Sequence, residues 1–276
     1  MVMFATKILQ PSALLRPFIH HYWIMRADGF SMEMNIMPMG CMKWMFYRSR
    51  PFTVSGHDDY ADVATVCGQH DEAVHVATRE SIDLLFVFFQ PFAMKTVMGM
   101  PCGLFQENNV DMDCLGLPGF KLLKRQVIEA VTDGQAVGHI ESFILHQLAC
   151  HYDDLQFRQM RAVFGEIGCH PYTSTGRLAD IACLSERQFR RVFSEQVGLS
   201  PKQMLRVRRF LLASRQIQAG TADFTSIIHR LGYTDHSHFY KDFRDFSGMS
   251  PTDYMLHIRQ LEQRRMLDAY RSYHEE

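Results

Sequence analysis

The sequence lacks any run of about 18 apolar residues, which is the length that a membrane-spanning helix requires. Its first residues, Met-Val-Met-Phe-Ala-Thr, also lack the basic start of a secretory signal peptide. These two absences predict a cytoplasmic protein that has no membrane partner. The 276 residues are long enough for about two domains.

Cysteine pairs with the spacing of a metal or redox site are missing as well. The seven cysteines are odd in number, scattered and free of any C-x-x-C motif, which predicts reduced and mostly buried thiols. They are Cys41, Cys67, Cys102, Cys114, Cys150, Cys169 and Cys183. Cys150-His151 and Cys169-His170 are adjacent pairs, whereas structural zinc is held by spaced pairs. We therefore expect no metal and no cofactor.

Signs of an enzyme active site are sparse. The first half contains no His-x-His, the spacing that metal-binding cupin barrels use, and His70 and His75 are too far apart to supply it. No Ser/His/Asp order, phosphate-binding loop or catalytic carboxylate pair is evident. We therefore expect a protein that is not an enzyme, with a cupin-type enzyme carrying an appended helical domain as an alternative.

The chain has little excess of either charge, because its formal net charge is only −1. Residues 1–165 contain 13 Lys/Arg and 17 Asp/Glu, a net charge of −4, whereas residues 166–276 contain 16 and 13, a net charge of +3. The basic excess is concentrated at Arg187, Arg190, Arg191, Arg206, Arg208 and Arg209. A modest basic patch predicts DNA binding that weakens steeply with salt.

Two stretches near the C-terminus match each other at an offset of fifty residues. Phe189, Phe193, Gly198, Ser200 and Pro201 recur as Phe239, Phe243, Gly248, Ser250 and Pro251. The segments upstream also align, but one residue out of step, with 178–183 facing 227–232. Two copies are too few for a solenoid, so the repeat predicts one small unit built twice.

Each copy has the pattern of a helix, a tight turn and a second helix. In the first copy Ser185 is the expected N-cap of a helix over Glu186–Gln196, and Gly198 is expected to end that helix. In the second copy the expected N-cap is Thr234 or Asp235. Both copies are therefore predicted to be helix-turn-helix units.

The outer face of each second helix carries side chains that can contact DNA. They are Arg187, Arg190, Arg191 and Ser194 in the first unit, and His236, Ser237, Tyr240, Lys241 and Arg244 in the second. Arginine can bond guanine O6 and N7 together, and the other side chains can reach base edges or phosphates. The alternative is two solvated faces of an ordinary helical domain.

The segment between the two units is long enough to be a rigid linker helix. Pro201 suits its first position and follows Ser200 as N-cap. A helix from Pro201 to Ala219 would be about 28 Å long, close to the ~34 Å between half-sites one turn of DNA apart. This length favours a chain whose two helix-turn-helix units recognise two adjacent major-groove segments.

The C-terminal residues closely resemble the signature of the AraC/XylS family of bacterial transcription regulators. The resemblance lies in 232–243, then in Gly248-Met249-Ser250-Pro251 and Tyr254, and the first unit is similar to the family's first helix-turn-helix. It covers about residues 172–258 and departs from the family at Cys183-Leu184 and Ile228-His229. It implies sequence-specific binding to promoter DNA, with RNA polymerase as a further partner. The structural positions that it implies are Phe189, Phe193, Gly198, Pro201, Gly232, Phe239, Phe243, Gly248 and Pro251.

The first 165 residues have a different pattern. Short apolar runs at 41–47, 62–66, 75–78 and 84–89 lie between turn residues, which predicts a β-sandwich or barrel. Two helical patterns follow at about 119–131 and 137–151. Their apolar positions are Leu122, Leu123, Val127 and Val131, then Ile140, Phe143, Ile144 and Leu148.

The predicted fold class is therefore α+β. Residues 1–165 are expected to form a β-rich domain for effector sensing and dimerisation, with two helices at its end. Residues 166–276 are expected to form an all-α DNA-binding domain, with helix-turn-helix units at about 177–197 and 224–247 joined by a linker helix.

The N-terminal order of elements resembles the sensor half of the same family, a cupin-like barrel followed by two helices that often dimerise. The similarity includes Tyr22-Trp23, the turn at 36–40 and the segment 88–91. It implies a small-molecule effector and a homodimer formed through 119–151. In one alternative the barrel serves only in dimerisation, and in another the helices only cover it. The 18 methionines fit either a ligand pocket or plain core filling. The sequence identifies no effector-binding residue, no operator and no role for 259–276.

Overall fold

The computed structural model describes residues 4–27, 32–48, 64–70, 73–78, 81–106, 108–220 and 223–263, with the backbone alone at 32–36, 74–78 and 259–263. The start of the apolar run at 62–66 and the segment 264–276 therefore lie outside the described residues.

The N-terminal part of the chain is built from antiparallel strands. They are β1 (Phe4–Leu9), β2 (Ile19–Ala27), β3 (Met32–Ile36), β4 (Lys43–Tyr47), β5 (Ala64–Cys67), β6 (Val74–Thr78), β7 (Ile82–Phe89) and β8 (Asn109–Asp111). Six of them form one sheet in the order β1-β2-β7-β4-β5-β8, and β3 pairs with β6 in a second sheet. The four apolar runs correspond to β4, β5, β6 and β7, so the strand prediction is confirmed for them.

Strand β7 lies in the middle of the larger sheet, between β2 and β4. Seven of its eight residues are buried, because both faces of the sheet are covered. A strand that is buried on both faces has a continuous apolar sequence, which is why the sequence predicted β7. Strand β2 was not predicted because His20, His21 and Arg26 interrupt its apolar pattern.

The described part of the chain also contains ten α-helices, of which α1 lies before β8 and the other nine after it. They are α1 (Met94–Met98), α2 (Phe120–Glu129), α3 (Asp133–His151), α4 (Asp154–Cys169), α5 (Thr175–Ile181), α6 (Glu186–Val197), α7 (Pro201–Gln218), α8 (Phe224–Arg230), α9 (His236–Ser247) and α10 (Pro251–Gln263). The α+β class and both helices predicted at 119–151 are confirmed. Helix α4 was not predicted, and the proposed domain boundary after residue 165 falls inside it.

The two faces of the larger sheet carry separate apolar clusters. One face, with Tyr22 and Trp44, joins the core beneath the helices. The other face carries a smaller cluster that includes Met25, Met45 and Phe86. Met25 and Met45 therefore fill the core on this second face, as the core-filling interpretation expects, and Met42, just before β4, lies in the first cluster.

The buried apolar faces of helices α2 and α3 are narrower than the sequence suggested. Val127, Ile140 and Ile144 are buried, whereas Leu122 is 49 % exposed and Val131 is 89 % exposed. The assignment of Leu122 and Val131 to the apolar stripe is therefore wrong. Leu122 lies about 100° around the helix from its buried neighbour Leu123, and Val131 lies in the turn before α3.

An ion-pair cluster fixes the start of α3 to the sheet. The Arg48 guanidinium lies 2.7 Å from the Asp83 carboxylate and 3.1 Å from that of Asp133, the first residue of α3. A hydrogen bond from Arg26 lowers the pKa of the Asp133 carboxyl. The carboxylate at this helix N-terminus also complements the positive end of the helix dipole.

Candidate nucleic-acid interface

The first helix-turn-helix unit consists of α5 and α6, joined by a four-residue turn. The Ser185 hydroxyl accepts a hydrogen bond from the Gln188 backbone N–H, and the Gln188 side chain bonds back to the Ser185 N–H, which makes a capping box. Gly198 ends α6 with a left-handed φ of 85°. Each of these local signals was readable in the sequence.

The second unit consists of α8 and α9, joined by a five-residue turn. Its N-cap is Asp235, whose carboxylate accepts from the His238 N–H, while the Thr234 hydroxyl bonds the His238 ring. Helices α6 and α9 have the same length and start fifty residues apart. The extra turn residue explains why the segments upstream align one residue out of step.

Buried aromatic side chains set the rotation of both second helices. Phe189 and Phe193 of α6 are fully buried, and the Phe193 ring stacks on Phe164 of α4 at a centroid distance of 5.7 Å. In α9, Phe239 and Phe243 are buried in the same way. Because these faces point inward, the opposite faces of α6 and α9 point outward.

The outer face of α6 presents Arg187, Arg190 and Arg191, all of which are exposed. Arg190 lies 3.0 Å from Glu186 and Arg191 lies 3.2 Å from Glu195, in i,i+4 ion pairs. Exposed pairs of this kind contribute only about 0.3–0.5 kcal/mol, so phosphates or bases can replace the carboxylates. These arginines are therefore accessible to DNA.

Ser194, the fourth candidate on α6, is only half-exposed. It lies on the turn of α6 next to Glu195 and Gln196, which contact the N-terminal part of the chain. Its place differs from that of the three arginines, and its role in DNA binding stays a prediction.

The outer face of α9 presents His236, Ser237, Lys241 and Arg244, all exposed. Tyr240 is half-buried, and its ring packs edge-on against Phe224 at 6.2 Å and against Phe239 at 5.8 Å. The structure thus places both sets of candidate residues on equivalent helices. Their individual contacts with DNA remain predictions.

The arginines of α7 do not belong to this exposed surface, so the sequence-based basic patch is wrong for them. Arg206 lies 2.8 Å from the buried carboxylate of Asp242 and 2.9 Å from Asp245, which are both on α9. Arg209 covers the ring of Tyr233 at 4.8 Å. Arg208, the third, lines a cleft on another side of α7. Burial of Asp242 in the repeat unit has no local sequence signal.

Helix α6 is also held against the N-terminal part of the chain. Lys95 of α1 lies 3.2 Å from Glu195, and the Gln69 side-chain amide donates to the Val197 carbonyl at 2.9 Å. The Gln196 amide donates to the Gln156 side chain at 2.6 Å. Sequence reasoning missed these contacts because each partner lies far away along the chain.

Residues 178–257 match the family described as "Helix-turn-helix domain". The C-terminal part of this chain therefore contains a helix-turn-helix domain. Residues 7–111 match a second family, "Domain of unknown function (DUF6597)".

The helix-turn-helix domain has relatives among curated proteins. The chain is 33 % identical over 86 residues to the "Probable transcriptional regulator LumQ" of Photobacterium leiognathi, covering 31 % of this chain and 35 % of that protein. It is 34 % identical over 76 residues to the "HTH-type transcriptional activator RhaS" of Escherichia coli K12, covering 28 % and 27 %. The chain thus spans about a third of the length of these relatives.

Solved structures of bacterial proteins align with this chain at low sequence identity. ToxT from Vibrio cholerae aligns with a TM-score of 0.45 at 10 % identity, covering 92 % of this chain and 98 % of that one. The C-terminal domain of AraT from Geobacillus stearothermophilus aligns with a TM-score of 0.33 at 18 % identity, covering 37 % and 84 %.

Four of the seven cysteines are exposed. Cys67 and Cys102 are buried, but Cys114, Cys150 and Cys169 are exposed, as is Cys183, so the expectation of mostly buried thiols is wrong. All seven are free thiols. Among the described residues, no group of three His, Cys, Asp or Glu could hold a metal ion, and no helix is long and apolar enough to cross a membrane.

Proposed function

We propose that this protein is a sequence-specific DNA-binding transcription regulator that reads two adjacent major-groove segments. The observation that carries the proposal is the pair of equivalent helices, α6 and α9, with cationic outer faces. A major groove admits an α-helix, and each of these helices presents the side chains that pair with base edges.

The linker helix α7 supports the proposal that one chain recognises two major-groove segments. Helix α7 has 18 residues, which corresponds to a length of about 27 Å. The Arg206–Asp242 pair and the contact of Phe210 with Phe243 at 5.0 Å attach α7 to the second unit. A rigid connection of this length favours recognition sites about 10 bp apart.

We also propose that residues 1–165 sense a small-molecule effector and that residues 166–276 bind DNA. The names of the curated relatives support a regulator rather than an enzyme. The family resemblance supports a cytoplasmic homodimer that uses 119–151 and contacts RNA polymerase at promoters. In the alternative, the N-terminal part only dimerises, and no effector is bound.

The proposed function can be tested by selecting duplexes from a random pool with the full chain. We expect a site with two specific blocks about 10 bp apart. Insertion of five base pairs between the blocks should abolish tight binding, because it rotates one block to the other side of the duplex. A spacer of unchanged length but different sequence is the control and should retain affinity.

Two outcomes would contradict the proposal at different levels. If the selection yields only salt-sensitive binding without a preferred sequence, the protein is not a sequence-specific regulator. If a site is found but tolerates the five-base-pair insertion, only one unit reads DNA or the joint between them is flexible.

A further inference from the structure

Glu195 on α6 joins the N-terminal part of the chain to an arginine on the outer face of that helix. One carboxylate oxygen, Oε1, accepts a hydrogen bond from Arg191 Nη1 at 3.2 Å. The other oxygen, Oε2, accepts from Lys95 Nζ, also at 3.2 Å, and Lys95 belongs to α1. A single carboxylate is therefore shared between a candidate base-reading side chain and a lysine of the N-terminal part.

The three side chains of this chain of contacts differ in exposure. Lys95 and Glu195 are half-buried, whereas Arg191 is exposed. Charges that are partly withdrawn from water attract each other more strongly than fully exposed charges, because the effective dielectric constant around them is lower. The Lys95–Glu195 pair is therefore the firmly held part, and Arg191 extends from it into solvent.

The backbone that carries Glu195 is also held against the N-terminal part. The buried side chain of Gln196, the next residue, donates to the Gln156 side chain at 2.6 Å. The buried side chain of Gln69 donates to the Val197 carbonyl at 2.9 Å. Because both of the residues that follow it are fixed, Glu195 keeps its place relative to Lys95.

Arg190 and Glu186 form a comparable ion pair on the same helix, but without this support. They lie 3.0 Å apart in an i,i+4 pair, as Arg191 and Glu195 do. Glu186 is exposed, and Arg190 is its one ion-pair partner in the described part of the chain. An exposed pair of this kind orders its side chains weakly. Arg191 differs because its carboxylate partner is itself held by a second cation.

The hydrogen bond to Glu195 leaves one edge of the Arg191 guanidinium available. The bond uses Nη1, whereas Nη2 and Nε have no hydrogen bond to the described residues. A planar guanidinium can bond guanine O6 and N7 together through two of its N–H groups. Arg191 can therefore keep its contact with Glu195 while it recognises a guanine.

We propose that Lys95 and Glu195 are positioning residues for base recognition by Arg191. Lys95 fixes the Glu195 carboxylate, and the carboxylate fixes the guanidinium in one orientation. An arginine that is already ordered loses less conformational entropy when it binds a base than one that moves freely. This role rests on the proposed sequence-specific DNA binding, and it gives the N-terminal part of the chain a share in the base preference of the first unit.

The test measures base preference, because a change of net charge alters the affinity for all sequences alike. Duplexes selected with the full wild-type chain are varied one base pair at a time, and the base pair that Arg191 recognises is the one whose preference Arg191→Ala abolishes. We expect Lys95→Met, which removes the charge and keeps an unbranched apolar side chain, to lower the discrimination at that base pair about threefold to tenfold. Discrimination at the other base pairs should stay at the wild-type level.

Matched variants separate positioning from a general loss of charge or packing. Lys124→Met is the control for Lys95→Met, because Lys124 is also half-buried in the N-terminal part but pairs with Asp113 instead of a residue of α6. Glu195→Gln should reproduce the effect of Lys95→Met, whereas Glu186→Gln should leave discrimination at the Arg191 base pair unchanged. Lys95→Arg keeps the positive charge and should retain the wild-type preference.

The positioning role is overturned if both Lys95→Met and Glu195→Gln keep the wild-type preference, or if they weaken binding to every base pair equally. It is also overturned if no base pair loses its preference in the Arg191→Ala chain. A selection without any preferred sequence would contradict the proposed function as well. A specific site whose preference survives in the Lys95→Met and Glu195→Gln chains would remove the positioning role alone.

Discussion

Cys183 and Gly232 occupy equivalent positions in the turns of the two helix-turn-helix units, and both have a left-handed backbone, with φ of 54° and 67°. The residue after each makes the same hydrogen bond, Leu184 N–H to the Ala179 carbonyl at 3.0 Å and Tyr233 N–H to the Ile228 carbonyl at 3.1 Å. The turn therefore demands a conformation that glycine adopts freely and cysteine does not.

We expect Cys183→Gly to raise the free energy of unfolding by about 1 kcal/mol, because the substitution relieves the left-handed conformation of a residue with a Cβ. Urea unfolding measures the change. Cys183→Ala keeps the Cβ and is the control, with no gain expected. Gly232→Ala should destabilise, since its Cβ would lie 2.8 Å from that of Tyr172. Equal stability of the glycine and alanine variants at position 183 would show that the turn is not strained.

Arg190→Ala and Arg191→Ala should each weaken specific DNA binding by about 1–3 kcal/mol if the arginine makes a bidentate base contact. Folding should change little, because both arginines are exposed and form only i,i+4 pairs. Binding titrations at one salt concentration measure the loss. Arg158→Ala removes a similar exposed pair with Asp154 on α4 and should leave DNA affinity unchanged. Wild-type affinity in both α6 variants would remove α6 from the interface.

Asp242→Asn should destabilise the chain by about 3 kcal/mol, because it removes the buried carboxylate that faces Arg206 and Arg209. Asp245→Asn is the matched control, since Asp245 pairs with the same Arg206 but is itself 41 % exposed. The control substitution should lower the free energy of unfolding by less than about 1 kcal/mol. Urea unfolding of both variants is the measurement, and equal losses would show that burial of Asp242 is irrelevant.

The proposed homodimer through 119–151 must use surface that the protomer leaves exposed. Ile144 and Leu148 are buried against the chain's own core, whereas Leu145 of α3 is 40 % exposed. We expect the full chain to sediment as a dimer at micromolar concentration and Leu145→Glu to be monomeric with unchanged circular dichroism. Leu155→Glu, at an exposed leucine of α4, should stay dimeric. A charge at Ile144 should instead unfold the chain, and a monomeric wild type would remove the dimer proposal.

His21 should make stability depend on pH. Burial and the neighbouring His20 lower its pKa to about 3, so His21 stays neutral in the folded chain while it titrates near 6.5 when unfolded. Protons then bind preferentially to the unfolded state, and the free energy of unfolding should fall by about 1.4 kcal/mol per unit as pH drops from about 6.5 towards 3. This contribution is fully retained above pH 6.5.

Urea unfolding between pH 8 and pH 5 tests the role of His21. His21→Phe, which keeps a ring against Phe88, should lose this component of the pH dependence. His146→Asn, at an exposed histidine of α3, should retain it. A wild-type pH profile in the His21→Phe chain would assign the dependence to other groups.

Local signals along the chain determined the elements of the C-terminal domain. Ser185, Ser200 and Asp235 cap helices through hydrogen bonds to residues three positions away, and Gly198 supplies the left-handed end of α6. Aromatic residues at helical spacing define the buried faces, so the outer faces of α6 and α9 follow as well. All of these interactions span only a few residues, which is why the sequence was sufficient to predict them.

Tertiary structure decided which charges are available. Arg206 and Arg191 look alike in the sequence, but Arg206 faces a buried carboxylate 36 residues away and Arg191 faces solvent. The cleft at Arg208 arises only because residues near the end of β7, residues of α4 and residues of α7 meet in space. The amino-acid order by itself determined the helices, caps and buried stripes of the two helix-turn-helix units, because those depend on local geometry. Folding decided ion-pair partners, exposed thiols and the cleft, because Coulombic contacts and burial depend on distances in space.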